Sequence, residues 1–402
     1  MDLFNAMSGP QRLTKLAVGN YRSLLSFVTP LDSLNVVTGA NGSGKSNLYR
    51  ALRLLAATAR GGVSESLARE GGLHSAFWAG PEQITEGMRT GRHEVQGGPR
   101  KKRKRLRLGF GGTHFGYSIS FGLPNPDESS LFSLDPEIKR EAIWAGDKYH
   151  PAKLLLDREG ALVRCRGDRG WRKLREDLSR FESVFDQVAD PAFAPEVFLL
   201  REEIRRWRFY DQFRSDALAP ARAPMIGTRT PVLHHDGRDL PAALQTIRES
   251  GDADALNESV RDAFPGAEVA IVPQPSGHFV LQFHQHGLLR PLTAAELSDG
   301  TLRYLLWVAA LLTPQPPSLL VMNEPENSLH PELLPALARL IVDAATRTQV
   351  WVVTHSEGLV MELEAGGVCR KIRLHKILGT TESVDLSSNV LERPTWRWPD
   401  YV

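Results

Sequence analysis

Hydrophobic and polar positions change pattern several times along the chain. Leu13–Val18 and Leu24–Val28 are short, mostly apolar runs with Asn20-Tyr21-Arg22-Ser23 between them, which predicts two strands joined by a turn. A third apolar run, Leu34–Thr38, leads through glycines into a helical pattern over Gly44–Arg60 that stops at Gly61-Gly62. Residues 61–99 are glycine-rich and without a period, and are read as irregular. Alternation appears in Leu106–Phe121, Ala142–Trp144 and Lys153–Arg166, as expected for antiparallel strands. Within Glu196–Phe213, Val197, Leu200, Ile204 and Trp207 lie near helical spacing, and prolines at 191, 195, 220, 224, 231 and 241 cut the surrounding region into short pieces. Beyond residue 265 the pattern becomes one of strands (Ala267–Val272, His278–His284, Leu319–Met322, Gln349–Thr354) alternating with helices (Thr301–Leu312, Pro331–Ala345). Such alternation indicates a parallel sheet with helices on its faces.

These patterns predict an α/β protein with a mixed sheet, an antiparallel β portion and an inserted helical lobe. The expected organisation is residues 1–170, a lobe at 171–250, and 251–402. No unbroken heptads support coiled-coil arms, and no internal repeat is present. The composition of the 402 residues, 42% hydrophobic and 24% charged, is that of an ordinary globular protein, and a net charge of +2 means that any basic surface is local. Cys165 and Cys369 lie far apart with no C-x-x-C spacing, which suggests a reducing compartment and excludes a cysteine-based zinc site. The start lacks the pattern of a signal peptide, and the longest apolar run, Tyr304–Leu312, is too short to span a bilayer. A soluble, cytoplasmic protein with no membrane contact is expected.

Residues 39–46, Gly-Ala-Asn-Gly-Ser-Gly-Lys-Ser, form a complete G-x-x-x-x-G-K-[ST] phosphate-binding loop in the strand–loop–helix context the motif requires. Its glycines let the backbone N–H groups of Asn41, Gly42, Ser43 and Gly44 turn toward phosphates. Lys45 supplies a point charge for the β/γ oxygens, and Ser46 a hydroxyl for Mg²⁺. Asn47 follows at the start of the helix. A nucleoside triphosphate with Mg²⁺ is therefore the expected ligand. Three later segments carry further chemistry: Leu297-Ser298-Asp299-Gly300-Thr301 before a helix, the strand Leu319–Met322 ending in Asn323-Glu324-Pro325-Glu326, and the strand ending in Thr354-His355-Ser356.

In order and spacing these segments resemble the Walker A, signature, Walker B and switch-histidine motifs of ATP-binding-cassette ATPases. Asn20-Tyr21-Arg22-Ser23 ahead of GANGSGKSN, together with NEPENSLHP, looks like the RecF/SMC-like branch, and within it the short stand-alone predicted ATPases without coiled-coil arms. The resemblance covers roughly residues 13–60 and 290–360. It implies a P-loop NTPase head of ABC type in which Glu324 orients or deprotonates the attacking water and His355 contacts the γ-phosphate. Ser298 and Gly300 would then face the nucleotide of a second subunit in an ATP-dependent homodimer, with Asn327–His330 linking the two sites. Arg22 resembles the family arginine that leans toward the nucleotide; a surface turn residue is the competing reading. One departure is plain. The family's aspartate before the catalytic glutamate is Asn323 here, which brings no charge to a Mg²⁺-bound water. The Q-loop glutamine has two candidates, Gln83 and Gln96.

Arg100–Arg107, RKKRKRLR, is either a nucleic-acid backbone contact or a solvated loop, and DNA is the partner implied by the family's usual company. A partner protein, an effector or nuclease, is also implied. Arg201–Arg214 mixes arginines with Trp207, Phe209, Tyr210 and Phe213, whose spacing favours a core role over base stacking. His234-His235-Asp236 invites a metal site, but adjacent residues in a loop flanked by glycine and proline seldom converge on one ion. The sequence-level reading is an ATPase acting on DNA or with a DNA-processing partner in repair or defence. Its rival is an ATP-gated scaffold with negligible turnover.

Overall fold

The computed structural model describes residues 9, 11–82, 84–94, 104–125, 131, 132, 134–167, 170–188, 191, 193–367, 369–384 and 395–399. The fold is α/β with mixed strand directions, and the chain divides into two compact units: Met1–Asp32, Val37–Trp207 and Lys371–Val402 form one, and Ser33–Val36 with Arg208–Arg370 the other.

The first unit is built on an eight-stranded antiparallel sheet. It comprises β1 (Leu13–Tyr21) and β2 (Leu24–Pro30), then, after β3 (Leu34–Gly39), β4 (Leu106–Gly112), β5 (Phe115–Gly122), β6 (Glu137–Ala145), β7 (Leu154–Glu159), β8 (Leu162–Gly167) and β9 (Gly170–Arg175). Their order is β2-β1-β4-β5-β6-β7-β8-β9. Strand β5 is buried at every position because both faces of the sheet are covered. On one face Phe110 and Tyr117, paired across β4 and β5, pack against Trp207 and Phe185 at ring separations of 5.6 and 5.0 Å. On the other, Trp396 lies so close to Gly109 that a Cβ there would be 2.8 Å from its ring. The interior also holds an ion pair: Arg158 Nη1 stands 3.1 Å from Glu141 Oε2 with both side chains at 0% exposure. Tyr117 OH and Ser183 Oγ donate to Glu141 Oε1, and the Val184 N–H donates to Oε2.

Helix α1 (Lys45–Thr58) follows the phosphate loop. The stretch read as irregular holds three short helices, α2 (Val63–Arg69), α3 (Gly72–Ala76) and α4 (Glu86–Arg89), each too brief for its period to register. Two more, α5 (Val184–Gln187) and α6 (Pro195–Arg205), complete the unit up to residue 207. Of the region read as a helical lobe, 171–250, β9 and these helices belong to the first unit and everything from Arg208 to the second. The helical pattern read to Phe213 ends at Arg205, after which Arg208–Tyr210 is a strand, β10.

In the second unit β10, β15 (Leu319–Asn323) and β16 (Gln349–Val353) run parallel, with Val321 opposite Phe209 on one side and Trp351 on the other. The apolar runs of β15 and β16 suit strands buried on both faces. Between β10 and β15 the chain forms a smaller antiparallel sheet of β11 (Met225–Ile226), β12 (Glu268–Pro273), β13 (His278–His284) and β14 (Leu292–Thr293). Helices α7 (Leu240–Ser250), α8 (Ala253–Ala263), α9 (Asp299–Leu311), α10 (Leu334–Arg347) and α11 (Glu357–Ala365) supply the rest. Beyond its first three residues α9 is buried throughout, as is its C-cap Leu312, and Tyr304, Leu305 and Trp307 anchor one continuous core with Leu244, Leu337 and Val352. The chain then forms the hairpin β17 (Arg370–Ile377) and β18 (Thr380–Ser383). No helix among the described residues is long and apolar enough to cross a membrane.

Candidate active site

The phosphate loop lies in the first unit, between the end of β3 and α1. Two of its glycines are required by geometry. Gly39 (φ 143°) and Gly44 (φ 112°) adopt backbone conformations closed to other residues, and a Cβ would collide with the Leu374 carbonyl in the first case and the Thr381 side chain in the second. Lys45 is buried, and its ammonium donates to the carbonyls of Gly39 and Ala40, the latter at 2.9 Å. Asn41, Gly42 and Ser46 are exposed at the mouth of the loop. A relay of hydrogen bonds fixes the loop from behind. Asn47 Nδ2 donates to Ser23 Oγ (2.8 Å), Ser23 Oγ lies 2.7 Å from Thr381 Oγ1, and Thr381 Oγ1 donates to the Ser43 carbonyl (2.8 Å). Since Thr381 has one hydroxyl proton and spends it on Ser43, Ser23 donates to Thr381 and the relay has a single direction. Thr381 was invisible as a site residue in the sequence, because it lies more than 300 residues from the loop it braces.

The loop's tight glycine turns and the buried ammonium set over its own carbonyls fit an anion such as a polyphosphate, and the Ser46 side chain beside it is exposed. Arg22, at φ 47°, is committed to another contact: Nε and Nη2 lie 3.1 and 3.0 Å from Glu70 Oε2, which also accepts from Tyr21 OH at 2.7 Å. Burial, then Glu70, pushes the Tyr21 phenol above its ordinary range.

The carboxylates and the histidine lie together in the second unit. Glu324 follows β15 with φ 50°, a left-handed conformation that costs a non-glycine residue about 1 kcal/mol or more. Its N–H donates to the Val353 carbonyl at 2.7 Å, which carries the β15–β16 ladder one step past the strand. Trp307 Nε1 holds the next turn through the Pro325 carbonyl at 3.1 Å. Both Glu324 oxygens are engaged: His355 Nε2 is 3.2 Å from Oε1, and Asn327 Nδ2 donates to Oε2 at 2.7 Å. The structure thus brings the two predicted catalytic residues of this unit together. Asn323 is the last residue of β15 and half-buried. Glu326, not singled out in the sequence, organises the histidine loop. Its Oε1 accepts from Thr354 Oγ1 (2.6 Å), His355 N (2.9 Å) and Ser356 N (3.2 Å). The second glutamate of NEPEN was the available signal.

Ser298 caps α9, its Oγ accepting from the Thr301 N–H at 3.1 Å, so this serine has a structural role at the helix start whatever else it contacts. Gly300 is close to the Asn327–His330 loop; a Cβ there would be 3.0 Å from the Ser328 carbonyl. Arg303 ties the same helix to that loop by donating from Nη1 to the Asn327 carbonyl. Signature, Glu324 turn and His355 therefore form one connected set.

Other sequence candidates divide. Gln83, Gln96 and Arg100–Arg103 lie outside the described residues. Of the rest of the basic run, Lys104 sits 5.5 Å over the Phe77 ring and Arg107 5.9 Å from the Trp398 ring. Trp207, Phe209, Tyr210 and Phe213 are core residues, as their spacing predicted. His234, His235 and Asp236 do converge, contrary to expectation: their ligand atoms all lie within 4.8 Å of one another. The turn that achieves this also brings Arg238, whose Nη2 is 2.8 Å from His234 Nε2 and whose Nε is 3.2 Å from Asp236 Oδ1. A guanidinium thus already lies against two of the three candidate ligands, where its charge opposes a cation.

No curated protein matches the sequence. Among solved structures, an SMC head bound to the C-winged helix domain of ScpA aligns over 93% of this chain and 97% of its own at 11% identity and a TM-score of 0.49. An SMC head with an extended coiled coil, bound to the C-terminal domain of ScpA derived from Pyrococcus furiosus, gives 93%, 96%, 11% and 0.49 for the same quantities. The SMC head domain from Thermotoga maritima gives 93%, 98%, 13% and 0.43. The family model described as "AAA domain, putative AbiEii toxin, Type IV TA system" matches residues 34–362, a span that runs from the phosphate-loop strand past His355. On that match, which spans most of its length, the chain belongs to this AAA-domain family.

Proposed function

We propose that the chain is a Mg²⁺-dependent ATPase whose ATP-bound heads pair, and that it acts on DNA or with a DNA-processing partner. The observation that carries the reading is Glu324 at a parallel strand end, held in a left-handed turn and bonded to His355, in a chain that also has a complete phosphate loop. The loop amides of Asn41–Gly44 and the Lys45 ammonium would bind the β/γ phosphates, Lys45 exchanging its own carbonyl partners for phosphate oxygens. Ser46, with Asn323, would hold Mg²⁺, which supplies charge neutralisation at the phosphates. Glu324 orients the attacking water and accepts its proton; to do so it must first release His355 or Asn327, since both its oxygens are engaged. His355, freed from the carboxylate, turns to the γ-phosphate. Ser298 and Gly300 complete the site of a second copy of the chain.

One observation favours a second reading. Asn323 brings no charge to the metal, and the two partners on Glu324 hold the base occupied, which suits an ATP-gated scaffold with negligible turnover. The two readings separate on Mg²⁺-ATP turnover and dimerisation of the wild type and Glu324→Gln, measured with and without DNA. Turnover that collapses in the variant while ATP-dependent pairing persists supports the ATPase. Equal rates for both proteins refute it and leave the scaffold. Neutralising Arg100–Arg107 should weaken DNA binding and flatten its salt dependence; unchanged affinity removes that run as the contact.

A further inference from the structure

Arg222 ends the short 3-10 turn Pro220–Arg222, and its guanidinium, whose side chain is 10% exposed, joins two segments of the second unit. Toward its own side, Nε lies 3.0 Å from the Ser215 carbonyl and 3.1 Å from that of Asp216, and Nη2 donates to Ser215 at 2.7 Å. Toward the signature segment, Nη1 donates to the carbonyls of Ala294 (2.9 Å), Ala295 (3.2 Å) and Leu297 (2.8 Å), and Nη2 to Asp299 Oδ1 (2.7 Å). We propose that Arg222 is the positioning residue of the signature motif, setting Ser298 and the start of α9 for contact with the nucleotide bound by a second copy of the chain. The proposal rests on the paired-head reading above.

The geometry places the clamp on both sides of Ser298. The Leu297 carbonyl belongs to the peptide that leads into Ser298, and the Asp299 side chain follows it directly. With both tied to one rigid, planar cation, the direction in which the Ser298 hydroxyl leaves the chain is fixed before any nucleotide arrives. Preorganisation of this kind strengthens association by removing ordering that binding would otherwise have to supply. Lysine cannot substitute: its three donors radiate from one nitrogen and cannot reach Ser215, Leu297 and Asp299 together. The Asp299 carboxylate receives one arm of the fork.

A structural prop and a positioning residue differ in a mixing experiment, because Ser298 of one chain would serve the phosphate loop of the other. Four variants are purified: Arg222→Gln, Arg222→Lys, Ser298→Arg and Lys45→Ala. Each is assayed for binding of a fluorescent ATP analogue, ATP-dependent dimerisation by sedimentation, and turnover alone and in equimolar mixtures. Arg222→Gln is expected to bind the nucleotide within about twofold of wild type yet to dimerise about tenfold more weakly, a loss equal to roughly 1.4 kcal/mol. Mixed with Lys45→Ala, it should recover about a quarter of wild-type turnover, because half the dimers are mixed and each mixed dimer keeps one intact site. Arg222→Lys should behave like Arg222→Gln and guards against loss of fold in the charge-removing variant. Wild-type dimerisation by both Arg222 variants overturns the proposal. So does failure of both to be complemented by Lys45→Ala in mixtures where Ser298→Arg is complemented. If Ser298→Arg is not complemented either, the paired-head reading fails, and the proposal with it.

Discussion

The relay behind the phosphate loop gives a sharp test, because one methyl-for-hydroxyl exchange breaks it without changing its shape. In Thr381→Val the Ser43 carbonyl loses its 2.8 Å donor and the Ser23 hydroxyl loses its 2.7 Å acceptor. Ser23, Ser43 and Thr381 are all buried, with Thr381 at 1% exposure, so water does not replace the lost partners. Each orphaned group costs about 1–3 kcal/mol if nothing moves. Ser23 can rotate its proton elsewhere, but the Ser43 carbonyl is fixed between Gly42 and Gly44 and keeps its penalty. A net cost of about 1.5–3 kcal/mol on the binding-competent loop is expected, which converts to roughly 10- to 100-fold weaker ATP binding. Thr381→Ser preserves the hydroxyl and should stay within about threefold of wild type. Titration of a fluorescent ATP analogue, with calorimetry as a check, reads both. The double variant with Ser23→Ala adds a second condition: both changes cut the same relay, so their effects must be clearly less than additive. If Thr381→Val binds within twofold of wild type, or if the two changes add in full, the relay does not hold the loop.

Arg158→Met should be strongly destabilising, by about 3–5 kcal/mol in urea unfolding, because Glu141 is left charged at 0% exposure without its cation; a loss below about 1 kcal/mol would show that the hydroxyls of Tyr117 and Ser183 suffice. Glu296, just before the signature, is held down to about 2 by its bond to Arg290 first and then by the Thr293 N–H and hydroxyl. A depressed carboxylate contributes above its unfolded value of 4.5 and loses that contribution as pH falls toward 2, so the turn persists at pH 4; a carboxyl carbon shift titrating near 4.5 in the folded protein would refute this. Asn323→Asp restores the charge that the family places before the catalytic glutamate and should lower the Mg²⁺ concentration for half-maximal turnover several-fold, read by metal titration at fixed ATP. An unchanged midpoint would remove Asn323 from the metal site.

What the sequence made legible follows from the range of the forces involved. The phosphate loop was readable because glycines, lysine and serine must be neighbours in the chain for backbone amides and an ammonium to meet one anion. Glu324 and His355 were readable for a related reason: each ends an apolar run, and parallel strands β15 and β16 bring such ends side by side, here with Nε2 and Oε1 at 3.2 Å. The lobe at 171–250 was not readable, since period alone does not say which core a segment joins. Trp207 closes over Phe110 at 5.6 Å, whereas the strand that begins at Arg208 pairs with β15, and the boundary falls between adjacent residues. The bracing groups were hidden by distance in the chain. Thr381 sits 338 positions from Ser43, and Arg222 lies 77 from Asp299. Neither belongs to a motif, and each acts through a carbonyl, which every residue carries and which leaves no compositional mark. His234-His235-Asp236 teaches the converse. Its ligand atoms converge within 4.8 Å, yet two residues further on Arg238 brings a guanidinium onto the same nitrogens. Cluster geometry therefore points to a metal site only when the surrounding charge leaves room for the cation, whereas at Gly39–Ser46 the buried lysine ammonium carries the charge that the proposed phosphate ligand calls for.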